Sequence, residues 1–228
     1  MRDKRIAVLV SGGGTNLQAL IDAQGRGELI GGRLAAVVSS NPDAYALERA
    51  RRAGIPACTV ARRDFPSGRE MTRAIVERLR ELDIDLVVLA GFLHILTEEI
   101  VAAYPNAILN VHPALIPSFC GAGYYGLRVH EAVLSYGVKL TGATVHFVSE
   151  EPDAGPIVLQ KAVAVLENDT PETLQRRVME EAEWTILPQA VSLYCQDRLS
   201  VEGRHIRILP QAQRPATHPF VKENVRHV

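Results

Sequence analysis

Asn110 and His112 stand two residues apart in the apolar run Ala107-Ile108-Leu109-Asn110-Val111-His112-Pro113. In an extended strand that spacing sends both side chains to the same face. An amide donor beside a titratable imidazole can stabilise an oxyanion and act as a general acid or base. A structural histidine near a strand end is also common, so spacing alone leaves both readings open. Farther on, Glu150-Glu151-Pro152-Asp153-Ala154-Gly155-Pro156 forms a tight acidic turn. Its backbone is constrained enough to aim the Asp153 carboxylate. Close to His112, that carboxylate would favour the imidazolium and raise its pKa. Asp153 could equally cap its own turn.

A second constellation is Ser11-Gly12-Gly13-Gly14-Thr15-Asn16-Leu17, which follows the apolar run Ile6-Ala7-Val8-Leu9-Val10. Consecutive glycines permit a tight turn whose amides point outward at the positive end of a helix, an anion site of the kind that takes phosphate. Thr15 and Asn16 could add side-chain donors. The alternative is a plain strand–helix turn. A P-loop would need a GK[ST] ending, and no lysine lies near. A dinucleotide fingerprint would need glycine where Leu17 stands and an acid where Ser39-Ser40-Asn41 stands. A monophosphate fits better than a dinucleotide.

The elements that must position these groups are legible in outline. Apolar, β-branched runs predict strands over 5–11, 34–39, 55–60, 85–91, 107–111, 143–149 and 157–165. Helical patterns lie over 16–23, 44–53, 67–82 and 97–103, with Gly54 as a C-terminal glycine. Such alternation implies an α/β fold, a Rossmann-like and mostly parallel sheet with helices on both faces. The irregular, glycine-rich stretch 118–126 is expected as a surface loop able to act as a lid, followed by a helix over 128–136. Thr170-Pro171-Glu172 opens a helix expected to reach Gln196 with a kink at Pro188. A hairpin over 199–208 should turn at Glu202-Gly203, and a tail from Pro210 should be loosely held.

Composition narrows the class. The chain has 228 residues, 47% hydrophobic and 22% charged, so global disorder is excluded. The charge sum, 25 − 26 = −1, leaves no electrostatic footprint for nucleic acid or anionic membrane. No apolar run approaches the ~18–20 residues that span a bilayer, and the N-terminus does not resemble a signal peptide. Cys58, Cys120 and Cys195 are far apart and lack CxxC spacing, which predicts a reduced compartment without disulfides or zinc. A cytoplasmic protein is expected, with no metal. Arg49, Arg51 and Arg52 read as a solvated helix face, as do Glu180 and Glu181. His130 reads as a residue merely near the site, and Cys120 as an inert thiol.

Taken together, Gly12-x-Gly14-Thr15-Asn16-Leu17-Gln18-Ala19-Leu20, Val88-Leu89-Ala90-Gly91-Phe92-Leu93-His94-Ile95-Leu96, Leu109-Asn110-Val111-His112-Pro113-Ala114-Leu115 and residues 142–160 resemble, in order, the phosphoribosylglycinamide formyltransferases, folate-dependent enzymes of purine synthesis. The resemblance covers about residues 5–208. It implies one formyltransferase domain over 1–208, with a nucleotide side in its N-terminal half, a folate side in its C-terminal half, and a tail over 209–228. It implies Asn110, His112 and Asp153 as the catalytic triad, Gly14, Thr15 and Asn16 at the substrate phosphate with Pro113 also against substrate, and Glu183 at the ribose hydroxyls. Leu93, His94, Ile95 and Leu96 match the loop under the folate pterin, with Asn110 also on that side. Arg69 matches a basic residue associated with folate, and His146 a supporting histidine behind the triad. His94 stands where some members have arginine, Trp184 where a histidine is common, and the 118–126 loop is longer than in some.

The implied substrates are 5-phosphoribosylglycinamide and 10-formyltetrahydrofolate, the latter as formyl donor, with neither nucleic acid nor membrane as partner and a monomer or homodimer as the assembly. Two enzymatic alternatives belong to the same resemblance. Formyltetrahydrofolate hydrolases carry an extra N-terminal regulatory domain, and methionyl-tRNA formyltransferases a C-terminal RNA-binding domain. This chain is expected to have neither, opening on its first strand and ending in a tail. A non-catalytic phosphate or folate sensor would need the glycine turn but not the triad.

Overall fold

The computed structural model describes residues 2–211. Strand β1 (Lys4–Val10) is apolar from Ile6 onward because both its faces are covered: Ile6, Val8 and Val10 enter one apolar layer, Ala7 and Leu9 the other. Around it the seven-stranded sheet runs β3-β2-β1-β4-β5-β6-β7. The partners are β2 (Gly32–Ser39), β3 (Ala57–Thr59), β4 (Leu86–Leu89), β5 (Ile108–His112), β6 (Leu140–Phe147) and β7 (Ile157–Ala164). Pairing is parallel from β3 through β5 and antiparallel at β5–β6 and β6–β7. The chain leaves β1 toward β2 and β3, then returns to place β4 on its other side. That reversal opens a crevice beyond the carboxyl ends of β1 and β4, where such sheets bind ligands.

Helices α1 (Thr15–Gly25), α2 (Tyr45–Arg52), α5 (Leu127–Tyr136), α6 (Pro171–Val178) and α7 (Trp184–Cys195) contribute to one apolar layer, and α3 (Gly68–Glu81) and α4 (Glu98–Ala103) to the other. On α3, Met71, Ile75 and Leu79 recur at helical spacing and are buried, while Ser67 caps the Glu70 amide. Thr170 and Thr173 form a reciprocal cap at the start of α6, with Pro171 in its first turn. All seven expected strands are present, with shifted ends. β3 is shorter than 55–60 because the Ile55 amide is taken by Ala50 O, closing the end of α2. β6 begins at Leu140, not 143, because β7 pairs with it from Leu140↔Ala164 onward.

Two expectations need correction. The expected helix from Thr170 to Gln196 is interrupted by a wide π turn, Met179–Glu183, between α6 and α7, and Pro188 lies inside α7. The turn ends at Trp184, whose carbonyl lies four residues before Pro188 and so has no N–H to receive from it. The hairpin of β8 (Leu199–Glu202) and β9 (His205–Ile208) pairs Glu202 with His205, so its turn is Gly203-Arg204, one residue later than expected. Gly203 takes a φ of 63° there, a left-handed value that glycine adopts without strain. This hairpin forms its own small sheet. The expected loose tail lies, beyond Gln211, outside the described residues. Among the described residues no helix is long and apolar enough to cross a membrane.

Candidate active site

β5 carries Asn110 and His112 to its carboxyl end, and its antiparallel neighbour β6 sets Asn110 opposite His146 and His112 opposite Thr144. Directly opposed residues share a face, so the two histidines and the amide converge on one side. The third member arrives from the β6–β7 connection. Asp153 sits at a φ of 54°, and a Cβ at Gly155 would lie 1.8 Å from Phe147 O. Only glycine lets the turn fold back this closely on β6, and that return aims the Asp153 carboxylate at the strand pair.

Asp153 Oδ2 lies 3.5 Å from His112 Nδ1 and Oδ1 lies 3.5 Å from His146 Nε2. The Asn110 amide nitrogen donates to Asp153 Oδ1 at 3.3 Å and to His146 Nε2 at 3.1 Å. The orientation of that amide follows from its neighbours. His146 Nδ1 lies 2.8 Å from Phe147 O, which can only accept, so the ring proton is on Nδ1 and Nε2 offers a lone pair. The group between that lone pair and a carboxylate must therefore be the –NH2 end. Both amide hydrogens are engaged, the one to Asp153 more loosely.

His112 Nε2 donates to Phe119 O at 2.8 Å, and the Gly121 amide donates to Asp153 Oδ2 at 2.9 Å. The 118–126 loop thus lies over the centre and leaves His112 4% exposed. Here the structure corrects the electrostatic expectation. Burial pushes His112 below the ordinary histidine value, outweighing the upward pull of Asp153 and the Phe119 carbonyl. Burial acts upward on Asp153 too, but His146 and His112, when their rings are charged, and the Gly121 amide together hold it below the usual carboxylate value.

Behind the centre, His130 on α5 is fully buried with neither ring nitrogen partnered among the described residues. Burial, reinforced by nearby His112, pushes it down to about 4. Its folded pKa lies below its unfolded value of about 6.5. Its neutral form therefore supports the fold fully above that value, and the support is lost as pH falls toward 4. The gap corresponds to roughly 3 kcal/mol. Urea midpoints of wild type and His130→Leu should diverge in slope between pH 7 and pH 4, the variant being less acid-sensitive. Parallel slopes would remove His130 from the acid response.

The glycine turn lies at the carboxyl end of β1, which β4 separates from β5. Gly14 takes a φ of 71°, and a Cβ there would come within 2.6 Å of Ala46 Cβ on α2. Among the described residues no side chain caps α1, which leaves its first amides free at the carboxyl end of β1. Asn16 Nδ2 donates to Glu183 Oε2 at 2.5 Å, which ties the C-terminal helical region to the turn. Burial pushes Glu183 up to about 7 against the pull of Asn16, and Asn16 Oδ1 is buried without a partner among the described residues. Thr15 is half-buried beside Met179, and Pro113 follows His112 directly.

The loop after β4 is joined to the turn through Ser11, whose Oγ accepts from the Leu93 amide at 2.9 Å. Leu93 and Ile95 are 60% and 73% exposed, His94 packs edge-on against Phe92, and Leu96 is half-buried. An exposed apolar pair at the rim suits a flat ring system. Arg69 is not brought to the triad's hydrogen bonds; its guanidinium is held by Glu98 and Glu99 at the start of α4. Arg51 and Arg52 pair with Glu48 on the surface, as a solvated face should. Arg49 does not belong with them, because its side chain is bonded to the glycine turn. The contacts of Arg49, Phe119 and Gly121 pass through backbone groups, and no residue pattern announces those.

A formyl transferase family model matches residues 4–191. The chain is 41% identical to the phosphoribosylglycinamide formyltransferase of Haemophilus influenzae over 199 residues, covering 87% of this chain and 91% of that one. It superposes on the crystal structure of glycinamide ribonucleotide transformylase 1 from Symbiobacterium toebii with a TM-score of 0.86 and 47% identity, over 91% of this chain and 95% of that one. A formyltetrahydrofolate deformylase from Pseudomonas syringae is also similar, with a TM-score of 0.82 and 26% identity over 92% of this chain and 67% of that one.

Proposed function

The chain belongs to the formyl transferase family, among its phosphoribosylglycinamide formyltransferases, and from that membership we propose that its substrates meet between the glycine turn and the triad. The reaction is transfer of the formyl group of 10-formyltetrahydrofolate to the amine of 5-phosphoribosylglycinamide, a step of purine biosynthesis. The observation that carries the site is the convergence of Asn110, His112 and Asp153 at one strand end, beside an uncapped helix start able to take a phosphate.

Uncapped amides of α1 hold the phosphate, with Thr15 and Asn16 at its edge. Glu183 accepts from the ribose hydroxyls, and Pro113 bounds the amine. Leu93 and Ile95 cover the folate ring, with His94 and Leu96 completing that wall. The neutral amine attacks the formyl carbon, and the oxygen gains negative charge. His112 supplies a charged N–H to it from Nε2, which requires Phe119 O to give up that position as the loop moves. Asn110 contributes the hydrogen that rests loosely on Asp153. Asp153 holds the imidazolium and passes the amine proton, through water, toward the departing folate nitrogen. His146 fixes the Asn110 amide from behind. Arg69 supports the folate side from its place between α3 and α4.

Incubation with both substrates should yield formylated nucleotide. Loss of the formyl group at an equal rate without the nucleotide would instead assign the hydrolytic reaction to which the deformylase likeness points.

Gly14→Val tests the phosphate end. The variant meets Ala46 and an unfavourable φ, so the turn must shift and its amides lose their aim. Charge-assisted hydrogen bonds are worth about 1.5–3 kcal/mol, so KM for the nucleotide should rise roughly 10–100-fold with kcat changed only a few-fold. Equal binding of the dephosphorylated nucleoside by wild type would count against a phosphate there.

A further inference from the structure

The glycine turn has no side chains to fix the direction of its peptides, yet the carbonyls of Gly12 and Gly13, which precede the Gly13 and Gly14 amides, are both tied to α2. Gly12 O accepts from the Ala46 amide at 3.1 Å, in the first turn of that helix. Gly13 O accepts from Arg49 Nε at 2.8 Å, and Arg49 Nη1 is itself anchored on Gln18 Oε1 at 2.9 Å. The guanidinium also lies 5.0 Å from the centroid of the Tyr45 ring, so its plane is held from a third side.

A trans peptide carries its C=O and the following N–H in opposite directions. Pulling Gly12 O and Gly13 O toward α2 therefore turns the Gly13 and Gly14 amides away from α2. Neither amide donates to another group among the described residues. We propose that Arg49 is a positioning residue of the phosphate site: by holding Gly13 O it orients the Gly14 amide toward the substrate phosphate. The inference rests on the reading of the turn as that site. A flexible glycine peptide left unheld could flip, presenting a carbonyl oxygen to the anion in place of an N–H. The charge of Arg49 also favours this orientation, since the dipole of the Gly13 carbonyl points its negative end at the guanidinium.

The test compares wild type, Arg49→Lys and Arg49→Met with 5-phosphoribosylglycinamide and with the same compound lacking its phosphate. Wild type should favour the phosphorylated substrate. Arg49→Met should lose about tenfold or more of that preference, through KM and with kcat at saturation within about threefold. Arg49→Lys, which retains one charged donor for Gly13 O but not the fork to Gln18, should fall between. A packing role alone would alter both substrates equally and would not be rescued by lysine. If wild type shows no preference for the phosphorylated compound, the phosphate reading of the turn fails. If wild type shows it and Arg49→Met keeps it in full, Arg49 is not a positioning residue although the phosphate site stands. Should Arg49→Met not fold, the Arg49→Lys ratio decides alone: an undiminished preference overturns the proposal.

Discussion

Replacing His112 by alanine is expected to lower kcat by about 10²–10⁴-fold, the usual contribution of a positioned acid or base, with KM for the nucleotide changed only a few-fold. The imidazole is held to Phe119 O on one side and faces Asp153 on the other, and neither contact reaches the glycine turn. Losing it therefore removes charge stabilisation at the reacting carbon and leaves the remote phosphate contacts in place. Asn110 stays fixed by His146, so the oxyanion keeps one donor and a residual rate should survive. Steady-state kinetics at saturating folate, with circular dichroism to show that the variant folds, measure both effects. Turnover within tenfold of wild type would remove His112 from the chemistry. A large rise in KM with unchanged kcat would move it to binding.

The parts of this site that could be read in the sequence are those a short-range rule controls. Asn110 and His112 had to share a face because strands have a period of two. The glycine turn had to follow β1 because three consecutive glycines end a strand and expose amides. The buried runs that form β1, β2 and β4 needed no register to be recognised. What local rules could not supply, and only the family resemblance did, depends on register or on distance. His146 opposes Asn110 only because β6 pairs antiparallel with β5 in one particular alignment. Glu183 reaches Asn16 from 167 residues away, at the end of a π turn that no residue pattern signals.

Burial explains the remaining gap. Charge alone placed His112 above its ordinary pKa, because the nearest charged neighbour is a carboxylate. Its seclusion under the Phe119 loop reverses the balance, and seclusion is a property of the whole fold. The same holds for Arg49. In the sequence it is one of a basic cluster on a helix face, but α2 packs against the turn closely enough for a Cβ at Gly14 to strike Ala46, which brings Arg49 to Gly13 O and leaves Arg51 and Arg52 in solvent.

Asp153→Asn should combine a large loss of turnover with a displaced pH profile. Stabilising an oxyanion requires His112 charged, while attack requires the substrate amine neutral, so the profile should be bell-shaped. Burial already lowers His112, and Asp153 is the strongest influence acting in the opposite direction. Because His112 lies below the ordinary histidine value and an α-amino group titrates at about 7.7–8.0, the lower inflection of the bell belongs to the imidazolium and the upper one to the amine. Removing the carboxylate leaves burial less opposed, lowers the His112 pKa further, and should move the lower inflection to lower pH by on the order of one unit while the plateau falls. The upper inflection, set by the substrate amine, should stay where it is. Asparagine keeps the size of the side chain and an oxygen for the Gly121 amide, so the 118–126 loop retains one of its anchors. Profiles of kcat/KM for both proteins at saturating folate measure the displacement. A lower inflection that moves down assigns Asp153 the task of keeping His112 charged. A fixed lower inflection with reduced turnover would leave the carboxylate as the proton carrier between amine and folate nitrogen and remove its electrostatic part.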